Sequence, residues 1–261
     1  MAFRGILAEV ERSLRDLFSR PIENISFAIM APLWLAFFIL SLRGFGVSGL
    51  STFDYQVFTW VAYLFAIYST WLWGVGQGIA DEGSSGILEH IEASGISIFT
   101  HILGEGIAYA SYGLMDLAVI VISIRLLAGF WPSLSNPPLF ALSLLLTFLE
   151  LTFLSSIYSM LIINMRSSWV ITSILQFILP ALGGLLPSVM NRYVFLMDKY
   201  SPLAYPPILL RESALGINEL GEPISLQVSL SVITVAALGA VSYMVCRLVE
   251  ANVKVRGLWG L

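Results

Sequence analysis

LFALSLLLTFLELTFLSSIYSMLII, residues 139–163, contains one charged side chain, Glu150. Wound as a helix at about 1.5 Å per residue, this run is longer than a hydrocarbon core about 30 Å thick. Such a segment satisfies its backbone polar groups in lipid only as a helix, so it reads as a membrane span. Working outward from it, comparable runs lie near 24–42, 55–79, 107–128, 169–187 and 225–246. They predict an all-α integral membrane protein with six transmembrane helices. The third run carries one acid, Asp116, and the fifth is interrupted by Pro180 and the pair Gly183 and Gly184. Composition agrees, because 57% of the 261 residues are hydrophobic and 11% are charged, against roughly a quarter charged in soluble domains.

With an even number of spans both termini share one side, expected to be the side with Lys and Arg close to the span ends. Arg4, Arg12, Arg15 and Arg20 precede the first run, Arg166 separates the fourth and fifth, and Arg247, Lys254 and Arg256 follow the sixth. Both termini are therefore expected in the cytoplasm and the chain in the cell membrane. Arg43, Arg192, Lys199 and Arg211 fall on the other side, most of them in one long loop. Arg125 is expected to snorkel outward and not to pair with Asp116. A net charge of −4 provides no basic field, which argues against nucleic acid as a partner. No secretory leader or mitochondrial presequence is expected, since residues 3–18 mix acids with apolar residues. The one cysteine, Cys246, excludes a disulfide framework.

Three segments stand outside the runs. In residues 1–20, Phe3, Ile6, Leu7, Val10, Leu14, Leu17 and Phe18 recur at helical spacing, predicting an amphipathic helix on the membrane surface or against a partner. Between the second and third runs, Asp81, Glu82, Gly86, Ile87, Leu88, Glu89, His90 and Glu92 belong to a stretch with five acids through Glu105 and no Lys or Arg. It reads as a short helix started near Ser84, Ser85 or Gly86 and ended by Gly95, with Glu89 placed as in a capping box and a new start at Ser97. Ile87, Leu88 and Ile91 form its apolar face. An acidic loop suits a protein partner with a basic or mixed groove better than anionic lipid. Residues 188–224, with Pro202, Tyr205, Pro206, Pro207 and Arg211, are too apolar for a solvated linker and too proline-rich for a span. They predict short helices at the outer interface or a re-entrant segment.

This architecture resembles the type-2 permease family of ABC transporters across essentially the whole chain. The family's loop pattern, acids followed by Gly-Thr-Leu-Glu and an apolar stretch, is matched by Asp81, Glu82, Gly86, Leu88, Glu89 and Ser94. A second pattern, Asn-Pro-Leu-Thr-Tyr followed by arginine, resembles Ser201, Pro202, Leu203, Ala204, Tyr205 and Arg211. The chain departs from the family at Ile87, where threonine is usual, and at Glu105, where lysine is common. The resemblance implies one transmembrane domain with a cytoplasmic coupling helix, a second permease chain as homodimer or related partner, and a separate nucleotide-binding subunit that carries ATP and Mg. The coupling residues it implies are Asp81, Glu82, Gly86, Ile87, Leu88, Glu89, His90 and Glu92.

No Gly-x-x-x-x-Gly-Lys followed by Ser or Thr occurs, so the chain is read as a transport subunit without its own ATPase site or cofactor, and not as an enzyme. His90 and His101 lack the i, i+4 spacing of a helical metal pair and have no thiol near them in sequence, so no metal site is expected. Gly74, Gly76 and Gly78 read as a packing face. Asp116 and Glu150 fall near mid-span, where a charge costs at least ~2.5 kcal/mol. Both are expected to face a translocation path or a partner; Glu150 is alternatively satisfied as a protonated acid by hydroxyls such as Thr147, Thr152, Ser155 and Ser156. The leading expectation is a permease subunit of an ATP-driven exporter. The alternatives are a proton-coupled secondary transporter using Asp116 and Glu150, and a non-transporting membrane scaffold.

Overall fold

The computed structural model describes residues 2–19, 21–44, 49, 51–163, 165, 168–188 and 191–256. Among them there is no strand, and the chain is a bundle of helices. In order these are α1 (Ala2–Ser19), α2 (Pro21–Gly44), α3 (Thr52–Thr70), a π-helical turn (Trp71–Gln77), α4 (Gly78–Ser84), α5 (Ile87–Ala93), α6 (Ile98–Ala128), α7 (Pro137–Ile162) and α8 (Ser168–Leu182). Then come α9 (Arg192–Tyr200), a 3₁₀ turn (Pro202–Ala204), α10 (Tyr205–Leu215) and α11 (Ile224–Arg256).

Among the described residues, four helices are long and apolar enough to cross a membrane: Thr52–Ser84, Ile98–Ala128, Pro137–Ile162 and Ile224–Ala251. The first and fifth runs form α2 and α8, whose described apolar stretches, Pro32–Ser41 and Ser168–Leu182, are shorter. Pro32 and Pro180 lie inside these two helices, where each removes a backbone donor. Of the basic residues used for orientation, Arg20 and Arg166 lie outside the described residues. The same holds for the side chains of Arg4, Arg43, Lys254 and Arg256.

Burial sorts the long helices. The apolar window of Thr52–Ser84 is 83% buried and that of Ile224–Ala251 only 22%, so α3 is the centre and α11 the wall. The wall exposes what water would not tolerate in a row: Ile107, Leu114 and Ile122 on α6 are each at least half exposed, and Ile233 and Met244 on α11 likewise. Apolar faces of this extent suit lipid contact.

The π turn bends the central span where two glycines admit aromatic rings. A Cβ on Gly74 would collide with the Tyr109 ring on α6, and one on Gly76 with the Tyr158 ring on α7. Trp71 stacks on Phe148 at 4.9 Å and donates its indole N–H to Thr152 at 3.0 Å. The expected packing face thus exists at Gly74 and Gly76, whereas Gly78 has open space.

Candidate functional site

Residues 78–105 form a hairpin at one end of the bundle. Gly86 links α4 to α5 at φ 77°, a left-handed conformation that glycine adopts without a Cβ penalty. Gly86 stands at the N-cap of α5 but has no side-chain oxygen, so the N-cap side-chain half of the expected capping box is absent. The Ser84 and Ser85 hydroxyls instead bond back to the Asp81 and Glu82 carbonyls. Gly95, at φ 85°, ends α5 as expected, and Ser97 caps α6 by accepting the Thr100 N–H at 3.1 Å. Glu250 of α11 receives the Ile98 N–H at 2.7 Å, a second cap that no local pattern indicates.

Of the predicted apolar face of α5, Leu88 is 1% exposed and Ile91 packs beside it, while Ile87 is 43% exposed. Ile87, Glu89 and His90 therefore form an outward edge, with Glu92 half-buried and Asp81 exposed.

Beneath this hairpin lies a polar cluster drawn from three helices. α1 lies across the base of α6 where Gly104 leaves no side chain between them; a Cβ there would stand 2.6 Å from the Glu9 Cβ. The face of α1 turned inward carries Glu9 and Ser13, 4% and 2% exposed, while Leu7 points away. Among the described side chains of α1, the buried ones are thus polar; those of Phe3, Ile6, Leu17 and Phe18, from its predicted apolar face, lie outside the described residues. His101, fully buried, sits between two carboxylates: Nδ1 is 2.9 Å from Glu9 Oε2 and Nε2 is 2.7 Å from Glu82 Oε2. Arg12 reaches Glu9 at 3.0 Å and Glu105 at 3.2 Å, and Ser13 donates to Glu105 at 2.7 Å. The hydrogen bond from His101, with the nearby Arg12, holds the Glu9 carboxyl below the usual carboxylate range. A cavity of about 390 Å³ opens beside the cluster, with Asp81, Glu82, Glu105 and Tyr109 in its wall.

Asp116 on α6 and Glu150 on α7 are both 0% exposed within this single chain. None of their four carboxyl oxygens has a hydrogen-bond partner among the described residues. The hydroxyls near Glu150 in sequence are committed elsewhere. Thr147 and Thr152 bond back to the Ser143 and Phe148 carbonyls, Ser155 to the Trp71 carbonyl, and Ser156 to Ser242 and Cys246. Arg125 bonds the Gly129 carbonyl and lies 5.6 Å from the Trp131 ring, away from Asp116.

At the far end, α10 is buried from Tyr205 to Ala214 and packs against α7 and α11. Of residues 188–224, expected to form short helices, α10 is thus enclosed by the chain's own helices. Pro202 opens the 3₁₀ turn, and the Tyr205 hydroxyl donates to the Lys199 carbonyl at 2.9 Å. Arg211, 0% exposed, grips Glu219 with two nitrogens at 2.5 and 2.6 Å. Its third nitrogen donates to the Gly184 and Leu185 carbonyls at 2.7 and 3.2 Å. Glu212 accepts the Glu219 N–H at 2.5 Å. Nearby, burial pushes Asp198 up to about 6, opposed in part by the Ser188 hydroxyl and Arg211. Arg211 is thus a clamp between α10, the end of α8 and the 219 loop.

The structure therefore brings Glu82 into contact with residues outside the predicted set, and leaves the Glu150 carboxyl without a bond to the hydroxyls predicted to satisfy it. Glu9, His101, Glu105, Glu219 and Glu250 were missed as partners, because their contacts join residues far apart in the chain or across a loop. No family model, curated protein or solved structure matches the chain.

Proposed function

We propose that this chain is the membrane-spanning permease subunit of an ATP-driven transporter of the ABC type-2 kind, working as an exporter beside a second permease chain and a separate ATPase. In this reading α2 and α8 complete six spans, both termini and the 78–105 hairpin face the cytoplasm, and α5 is the coupling helix. The observation that carries it is α5 itself, a seven-residue helix suspended between two long apolar helices. Leu88 anchors it inward, and Ile87, Glu89 and His90 face out. A mixed acidic and apolar edge of this kind fits a groove on a partner that carries basic residues. The chain supplies gating and the substrate route; ATP and Mg belong to the partner.

The test is copurification of an ATP-hydrolysing subunit from native membranes. Glu89→Arg combined with Ile87→Asp changes only the outward edge and is expected to abolish that association while insertion stays normal. Retained association and transport in this variant would reject the assignment. The unpartnered Asp116 and Glu150 favour a second reading, a proton-coupled transporter. Transport driven by a pH gradient in liposomes holding this chain alone would select it.

A further inference from the structure

We propose that Glu82, His101 and Glu105 form a binding site for one first-row divalent cation, Zn²⁺ foremost, which ties the end of α4 to the base of α6. The site does not depend on the permease reading. The three ligand atoms lie within 4.8 Å of one another. Bonds of about 2.0–2.2 Å to zinc require separations of roughly 3–3.5 Å. The adjustment falls on Glu82 and Glu105, whose side chains are 23% and 16% exposed, and not on the fully buried imidazole.

Three further observations point to a metal. First, Glu9 lies 2.9 Å from Nδ1. Both ring nitrogens of His101 face carboxylates in this structure, Nδ1 toward Glu9 and Nε2 toward Glu82 at 2.7 Å; an ion would displace the Nε2 proton while Glu9 keeps the Nδ1 proton, the outer-sphere arrangement that orients a metal-binding histidine. Second, Arg12 and Ser13 both bond Oε1 of Glu105, so that oxygen is held and Oε2 is left for a ligand role. Third, the cluster is electronegative. Glu9, Glu82, Glu105 and the neighbouring Asp81 outnumber Arg12, and a divalent ion that takes the place of the Nε2 proton of His101 reduces that excess. The adjacent cavity of about 390 Å³, walled by Glu82, Glu105 and Asp81, gives the ion an entry path and room for a water in its open position. One imidazole and two carboxylates form a donor set suited to Zn²⁺.

The experiment uses the full, tag-free chain in detergent, stripped with chelator and dialysed against micromolar Zn²⁺. One zinc per chain is expected, with Co²⁺ giving visible ligand-field absorption in the same site. Glu82→Gln and Glu105→Gln should each weaken zinc at least tenfold and remove the Co²⁺ bands. Glu9→Gln should weaken it roughly ten- to a hundredfold through the orientation of His101. Asp54→Asn, at the opposite end of the bundle, should leave binding unchanged. Because Glu82 is partly exposed, its glutamine variant decides the matter even where another variant fails to fold. Less than one-tenth of a zinc per wild-type chain, or zinc retained undiminished in Glu82→Gln and Glu105→Gln, overturns the proposal.

Discussion

Removing Arg211 offers the sharpest test of how the far end of the bundle is held. Arg211→Met keeps the aliphatic length and deletes the guanidinium. Glu219, 5% exposed, then retains only the Ser188 N–H at 3.2 Å, and the Gly184 and Leu185 carbonyls lose their donor. Breaking one partner of a buried ion pair costs about 3–5 kcal/mol, and each lost hydrogen bond about 1 kcal/mol more. The single variant is therefore expected to lose about 5 kcal/mol. In Arg211→Met with Glu219→Leu no charge is stranded. The double variant should lose only the backbone contacts, about 2–3 kcal/mol. The double variant is thus expected to be more stable than either single one, by denaturant or thermal unfolding in detergent. Additive losses, or a single-variant loss below about 1 kcal/mol, would show that the pair is not the clamp described.

Burial holds Asp198 at about 6 against an ordinary 3.8, so the folded chain keeps this proton over a range where the unfolded chain has released it. Stability should accordingly rise as pH falls from 7.5 through 6 toward 4, and Asp198→Asn should flatten that slope; melting temperatures across this range test it. Gly104→Val should force α1 off α6, by about 1–3 kcal/mol, and make a cysteine at Ser13, 2% exposed in the parent, reactive to a water-soluble maleimide. Glu150→Met removes a buried acid with no hydrogen-bond partner among the described residues and should raise thermal stability by about 1–3 kcal/mol; under the proposed function, transport should fall. Asp116→Asn and Glu150→Gln should keep expression and lower transport. Parental transport in all of these variants would exclude a role for the acids in the route.

What could be read along the chain was what depends on neighbours in sequence. Runs such as 139–163 and 225–246 declare long apolar helices because hydrophobicity and length add residue by residue. Gly86, Gly95 and Ser97 mark the hairpin because a left-handed backbone and an N-cap are local demands. Glycines 74 and 76 likewise announced close packing, though not the rings that use them. The polar chemistry was decided only in three dimensions. His101 meets Glu9, 92 positions away, and Arg12 meets Glu105, 93 away, because α1 comes close to α6 at Gly104. Hydroxyls spaced to serve Glu150 bond instead to their own helix or to the π turn and α11, since a backbone carbonyl one turn back is always within reach. Apolar burial is nondirectional and leaves its pattern in one dimension, whereas a hydrogen bond or an ion pair exists only where two helices bring specific atoms within about 3 Å.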